Sequence, residues 1–234
     1  MNEFVLFIDT ETSGMPTRWN APTAKVDEWP YILQIAWIVC KNNGELVCSR
    51  NFYIKQDDSL SAVKPLAAKR ISSDALKEKK VERKEVLNVL AADFELYEPL
   101  IVGHFLEFDK KMMEVGFTRA EVRQNFEQLP KFCTMINSRR TKDIWGSHKF
   151  MQLNELYESL FNRPMDDKDQ ARSNVEATMA VFFELVRLGK INDRTISQQA
   201  KFSRRKWELP LPVVVILSVL IFAALGVLFW YFFL

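Results

Sequence analysis

Glu3-Phe4-Val5-Leu6-Phe7-Ile8-Asp9-Thr10-Glu11-Thr12-Ser13-Gly14 is the stretch that decides the fold. Its apolar run reads as a buried strand, and the run stops at two carboxylates, so the strand delivers acidic side chains at its C-terminal end. Asp9 and Glu11 stand at i and i+2, which on an extended strand puts both on one side, where a divalent cation could sit between them. An acidic strand end is also an ordinary solvated edge. These two residues alone do not separate the readings.

The sequence downstream supplies the layers around that strand. Ile32–Cys40 and Leu46–Ile54 are apolar runs flanking Lys41-Asn42-Asn43-Gly44-Glu45, whose Asn-Gly is a hairpin signal, so a three-stranded antiparallel start is predicted. From Lys84 to Glu98 the apolar residues Leu87, Leu90, Phe94 and Tyr97 recur at helical spacing, and Pro99 precedes the short run Leu100-Ile101-Val102, giving helix then strand. Further helices are predicted at Glu107–Val115, stopped by Gly116, at Leu153–Phe161, and at Gln170–Leu188, stopped by Gly189. The order βββαβα followed by helices makes an α/β layered domain with a mixed sheet and its chemistry at strand ends. His104-Phe105-Leu106-Glu107-Phe108-Asp109 follows the fourth strand and opens a helix, which brings a third carboxylate, Asp109, close to a strand end.

FIDTETSG (7–14), WPYILQIAW (29–37), IVGHFLEFD (101–109), FCTM (132–135), LNELYESLF (153–161) and NVEATMAVFFEL (174–185) resemble, in this order and spacing, the DEDD 3′–5′ exonuclease superfamily. The branch they resemble contains the proofreading subunit of bacterial replicative polymerase, and the resemblance covers roughly residues 1–188. It implies a ribonuclease-H-like fold with a mixed five-stranded sheet flanked by helices. It also implies four acidic residues holding two Mg²⁺ or Mn²⁺ ions that hydrolyse the terminal phosphodiester of single-stranded DNA or RNA 3′ ends. By motif match Asp9, Glu11 and Asp109 are metal ligands and catalytic. Thr12 and His104 fall on the substrate side, Thr12 where the family's backbone approaches the terminal nucleotide and His104 orienting local backbone.

The fourth motif departs from that pattern. Setting NVEAT on the family's D-x-x-A-T puts Asn174 at the fourth aspartate and Asp169 at the general-base histidine, while the Tyr-type alternative would need a tyrosine where Gln170 stands. Asn174, Thr178, Val181, Leu185 and Leu188 share one helical face, so Asn174 points inward. Asparagine offers a metal only a neutral oxygen, and the lost histidine removes a base often worth about 10²–10⁴ in rate. Aspartate, with a reference pKa of about 3.9, replaces it poorly. Asp166, Asp167 and Asp169 could substitute for the missing ligand or could simply cap the helix that follows. Arg18, Trp19 and Trp29 could meet a nucleic-acid end or pack their own loop. His148 reads as a solvated loop histidine, and Lys77–Lys84 as a solvated face.

Composition bounds the partners. Of 32 Lys+Arg and 30 Asp+Glu, seven basic and two acidic residues lie in 187–234, leaving residues 1–186 with 25 basic against 28 acidic, about −3. A broad basic face for duplex DNA is not indicated. Three cysteines (Cys40, Cys48, Cys133) with no close ligand spacing argue against a disulfide framework or a zinc site. All 26 residues from Leu209 to Leu234 are uncharged. As a helix they would extend roughly 39 Å, enough to cross a hydrocarbon core of about 30 Å. The N-terminus does not read as a signal peptide, and Lys201, Arg204, Arg205 and Lys206 precede the apolar run with no Lys or Arg after it. The expected organisation is an exonuclease-like domain (1–188), a basic juxtamembrane linker (189–208) and a C-terminal transmembrane anchor (209–234), with the domain in the cytoplasm. Two functions follow: a metal-dependent 3′–5′ exonuclease of weakened activity, or an inactive exonuclease-fold protein that binds nucleic acid or a protein partner at the membrane.

Overall fold

In the computed structural model of the chain, the described residues are 2–56, 80–138, 150–166 and 169–205, with 200–205 described by backbone alone. The strand that opens the sequence, β1 (Phe4–Thr12), lies at the centre of a five-stranded mixed sheet. On one side it pairs antiparallel with β2 (Ile32–Lys41), which pairs antiparallel with β3 (Leu46–Tyr53). On the other it pairs parallel with β4 (Leu100–Gly103), which pairs parallel with β5 (Lys131–Cys133), giving the order β3-β2-β1-β4-β5.

Alternation along β1 sends side chains into two separate cores, as a strand buried on both faces requires. Leu6 and Ile8 meet Ile35, Trp37 and Val39 and pack on α1 (Arg83–Tyr97) and α2 (Leu106–Ala120) through Leu87, Leu90, Phe94 and Met113. Val5 and Phe7 meet Ala36, Ile38 and Val102 on the opposite face and pack on α5 (Gln170–Arg187) through Val175, Val181 and Phe182. A four-residue helix, α3 (Thr134–Asn137), follows β5 directly. α4 (Leu153–Phe161) starts at a reciprocal Gln152–Glu155 capping box and adds Leu156 to the second core.

Three features differ from the sequence expectations. Gly116 does not stop α2, which runs on to Ala120. A Cβ at Gly116 would lie 3.3 Å from Ile32 Cδ1 and 3.5 Å from Leu87 Cδ1, so the glycine permits close approach of α2 to the sheet and α1 rather than a chain reversal. β5 is a strand where the sequence offered only a motif, because three residues are too few to show a period. The segment after Gly189 is not all linker: α6 spans Asp193–Arg205, Ile191 and Ile196 join the second core, and Gln199 makes paired hydrogen bonds with the backbone of Cys133. Among the described residues no helix is long and apolar enough to cross a membrane, and the run 209–234 lies outside them, as do Lys206, His148, Asp167 and 77–79.

Candidate active site

The site forms where β1 and β4, running parallel, end at the start of α2. Asp9 and Glu11 continue the Val5–Phe7 face of β1 beyond the core, so the expected same-side placement is what the strand produces. Gly103 makes the turn from β4 into α2 possible, since a Cβ there would stand 2.9 Å from Leu106 Cδ1 and 3.2 Å from Leu106 Cβ. That turn sets Asp109 in the first helical turn of α2, 3% exposed. Its Oδ1 accepts both the Thr10 backbone N–H at 3.0 Å and the Thr10 hydroxyl at 2.7 Å, which ties α2 to the end of β1.

The electrostatics are those of crowded carboxylates. Burial pushes the Asp109 carboxyl up to about 7, the two Thr10 hydrogen bonds pull it down, and the Glu11 charge pushes it up again. Asp9 is raised well above the usual carboxylate range, by burial first and then by the charges of Asp109 and Glu11. Asn174 Nδ2 on α5 relieves it by donating to Asp9 Oδ2 at 3.1 Å. Asn174 therefore faces inward with Thr178, Val181 and Leu185, while Leu188 at the helix end is 44% exposed and leaves that face.

Asp169 precedes α5 but does not cap it with its side chain. Its backbone carbonyl accepts the Ser173 N–H, and its carboxylate instead turns to the sheet. Oδ1 accepts from Gln34 Nε2 at 2.6 Å and Tyr53 Oη at 2.9 Å, and Oδ2 accepts from Asn51 Nδ2 at 2.9 Å. Three neutral donors from β2 and β3 thus hold the carboxylate that stands at the expected base position. One sign of this cradle is legible along the chain, a glutamine inside the apolar run Ile32–Val39; Gln34 is 1% exposed and must be hydrogen-bonded. Asn51 and Tyr53 carried no such sign.

His104 is held on both ring nitrogens, Nδ1 by Thr134 Oγ1 and Nε2 by the Met151 carbonyl, each at 3.0 Å. Burial lowers its pKa, partly offset by the Met151 carbonyl. The ring fastens the end of β4 to α3 and to the segment before α4, so its placement is that of a backbone tie. The Thr12 hydroxyl donates to the Gly14 carbonyl at 2.7 Å and shapes the exit from β1, on the face of the strand opposite Asp9. Arg18 pairs with Glu28 and Trp29 is 3% exposed with Nε1 donating to the Pro22 carbonyl, so both serve their own loop.

No family model matches the chain, and no curated protein sequence matches it. Solved structures do. A structure described as exonuclease I (apo) superposes with a TM-score of 0.58 at 17% identity, covering 79% of this chain and 42% of that one. Escherichia coli exonuclease I in complex with a dT13 oligonucleotide gives 0.59 at 18% identity, covering 79% and 41%. The fold is that of exonuclease I. It is the ribonuclease-H-like exonuclease fold that the motifs implied, and the chain spans less than half the length of these exonuclease I structures.

On this fold, the residues that could hold a divalent cation are those at the end of β1 and the start of α2. Asp9, Glu11 and Asp109 supply hard oxygens, and the raised affinity of Asp9 and Asp109 for protons expresses the same excess of negative charge that a divalent ion would neutralise. Asn174 instead brings a neutral amide whose N–H supplies the positive end of a dipole to Asp9. Among the described residues no three carboxylate, imidazole or thiol groups already stand at the spacing of a closed metal site. The hydrogen bonds of Thr10 and Asn174 engage one oxygen each of Asp109 and Asp9.

Proposed function

We propose that the protein receives a single-stranded 3′ end of DNA or RNA at Asp9, Glu11 and Asp109, with Mg²⁺ or Mn²⁺, and hydrolyses its terminal phosphodiester slowly. The observation that carries this reading is the convergence of Asp109 on the β1 terminus through its double hydrogen bond to Thr10, which concentrates carboxylates that repel one another unless a cation joins them. A bound cation supplies charge that stabilises the departing 3′-oxygen and the attacking water. The chain's own residues hold and orient: Thr10 fixes Asp109, and Asn174 fixes Asp9. Slowness follows from the base position, where Asp169 is engaged by Gln34, Asn51 and Tyr53. A labelled single strand digested with Mg²⁺ or Mn²⁺ tests it: 3′-end shortening that disappears in Asp109→Asn is the expected result. Shortening that survives in that variant refutes the assignment.

The Asp9–Asn174 bond and the Asp169 cradle favour a second reading, in which the same centre binds a 3′ end without cutting it. Binding by the unmodified protein without cleavage, in either metal, would select that reading. The uncharged run Leu209–Leu234 and the basic residues before it support a tail anchor with the exonuclease-fold domain in the cytoplasm. Resistance of the full chain to carbonate extraction from membranes is the expected outcome, and its recovery in the soluble fraction without detergent would refute the anchor.

A further inference from the structure

The carboxylates at the end of β1 repel a strand of phosphates, and residues 1–186 carry about −3, so no broad positive field draws such a strand in. Whatever holds a phosphate here must be local. Two guanidinium groups supply such a place, Arg83 at the first position of α1 and Arg119 in the last turn of α2. Both face one ring, that of Tyr31, with their Cζ atoms 5.2 and 3.8 Å from its centroid.

The two positive charges are poorly compensated. Arg119 donates to the Pro30, Trp29 and Val26 carbonyls, all of them neutral acceptors. Burial holds its pKa below the ordinary arginine value; Tyr31 opposes this, the charge of Arg83 adds to it, and Asp27 opposes it least. Arg83 is half-buried, and its Nη2 is sealed from solvent with no hydrogen-bond partner. It also opens a helix that has no side-chain cap, where the positive end of the helix dipole disfavours a cation. A guanidinium set against the dipole, close to a second guanidinium and with a dry N–H, costs stability, and an anion relieves each of these costs. The place adjoins the active centre. Tyr31 donates its N–H to Ser13 Oγ at 3.0 Å and accepts the Ser13 N–H at 2.8 Å, two residues beyond Glu11. Arg119 shares α2 with Asp109, roughly 15 Å away along the helix axis.

We propose that Arg83 and Arg119, gathered on Tyr31, form an anion site that takes one backbone phosphate of the single strand, a few nucleotides upstream of the end at Asp9, Glu11 and Asp109. This rests on the proposed nucleic-acid function and names a second point at which the strand is held. The planar guanidinium fork matches the two unbridged oxygens of a phosphodiester. Such a contact fixes the register of the strand without reading its bases, so binding tolerates any sequence. A strand too short to span both points gains nothing from it.

The test measures binding of the full chain, in detergent and Mg²⁺, to labelled dT8 and dT2 strands whose last linkage is a phosphorothioate. A dT8 strand with uncharged methylphosphonates at its other linkages serves as control. Arg119 ties a loop, so Arg83 is the position to vary. The expected result is that Arg83→Gln weakens dT8 by about tenfold and leaves dT2 and the methylphosphonate strand unchanged. It also lowers the slope of log affinity against log salt for dT8 by about 0.7, the share of one phosphate on a single strand, while Arg83→Lys keeps that slope. Equal weakening toward dT8 and dT2, or an unchanged slope in Arg83→Gln, overturns the site and leaves the nucleic-acid function standing. Failure of the unmodified chain to bind any strand overturns both. If the methylphosphonate strand binds the unmodified chain as tightly as dT8 does, while inorganic phosphate raises the melting temperature, the site belongs to free phosphate and the strand's hold on it is overturned. Arg83→Gln is also expected to raise the melting temperature, so weaker binding cannot be ascribed to unfolding; a lowered melting temperature with equal loss toward dT8 and dT2 would mark Arg83 as structural and overturn the site.

Discussion

Asp109 and Asp169 each stand at the start of a helix, yet their surroundings give them opposite work. Asp109 is pressed into the protein beside Asp9 and Glu11, and although Thr10 donates to it twice, burial lifts its pKa to about 7. Asp169 receives three neutral donors from three residues on two strands. A carboxylate short of donors attracts a cation or a proton; one saturated with donors holds its neighbours in place. The comparison divides the centre into a reactive half on β1 and α2 and a scaffolding half on β2, β3 and the start of α5.

The comparison is broken or sharpened most by pH. Asp109 keeps its proton in the folded state up to about 7 but would lose it near about 3.9 in the unfolded chain, so the folded state binds more protons between those values. The contribution of Asp109 to stability is therefore full below about 4 and is lost as the pH rises toward about 7, by an amount on the order of a few kcal/mol. Urea unfolding across that range without metal should show the fall, and Asp109→Asn should flatten it. An unchanged profile in Asp109→Asn would contradict the crowding. Added Mn²⁺ should also flatten the profile, since a bound cation favours the charged carboxylates.

Next in size is the scaffolding half. Asp169→Ala leaves Gln34, Asn51 and Tyr53 without their shared acceptor, a loss of about 2–4 kcal/mol in unfolding free energy, while Asp169→Asn keeps a carbonyl and should cost about half as much. If Asp169→Ala unfolds at the same urea concentration as the parent, the cradle contributes nothing and Asp169 is available for chemistry. Asn174→Asp moves the boundary between the halves. It replaces the donor to Asp9 with a fourth like charge, so the metal-free protein should lose about 1–2 kcal/mol while Mn²⁺ raises its melting temperature more than it raises the parent's. The smallest effect belongs to Asp9→Asn, which relieves repulsion within the reactive half. It should gain about 1 kcal/mol without metal and lose most of the Mn²⁺-dependent shift, and an undiminished shift would remove Asp9 from the ligands.

Much of this architecture was legible in the order of residues. Ile32–Cys40, Leu46–Ile54, Lys84–Glu98 and Leu153–Phe161 came out within one residue of the observed elements, because each carries a full hydrophobic period bounded by turn or cap residues. β5 and α3 are too short to carry a period, and α6 is hidden by a basic, polar composition, its Ile196 and the preceding Ile191 packing on a core distant in sequence. Gly116 was read as a stop since a lone glycine weakens a helix; its role in close packing depends on Ile32 and Leu87, which are far away in the chain.

The sequence by itself determined the carboxylates Asp9, Glu11 and Asp109, the departure of Asn174 and Asp169 from the exonuclease pattern, and the apolar run at 209–234. These are matters of residue identity and short-range spacing. Only the tertiary structure decided what Asp169 and Asn174 do in their places. Asp169 meets Gln34 across 135 positions of chain and Asn174 meets Asp9 across 165, and no local period encodes contacts at that range. The same holds for Trp19, which stacks beside Phe105 and Phe108 because the loop closed by Ser13 and Tyr31 brings it there, a folding of the chain that spacing along the sequence cannot specify.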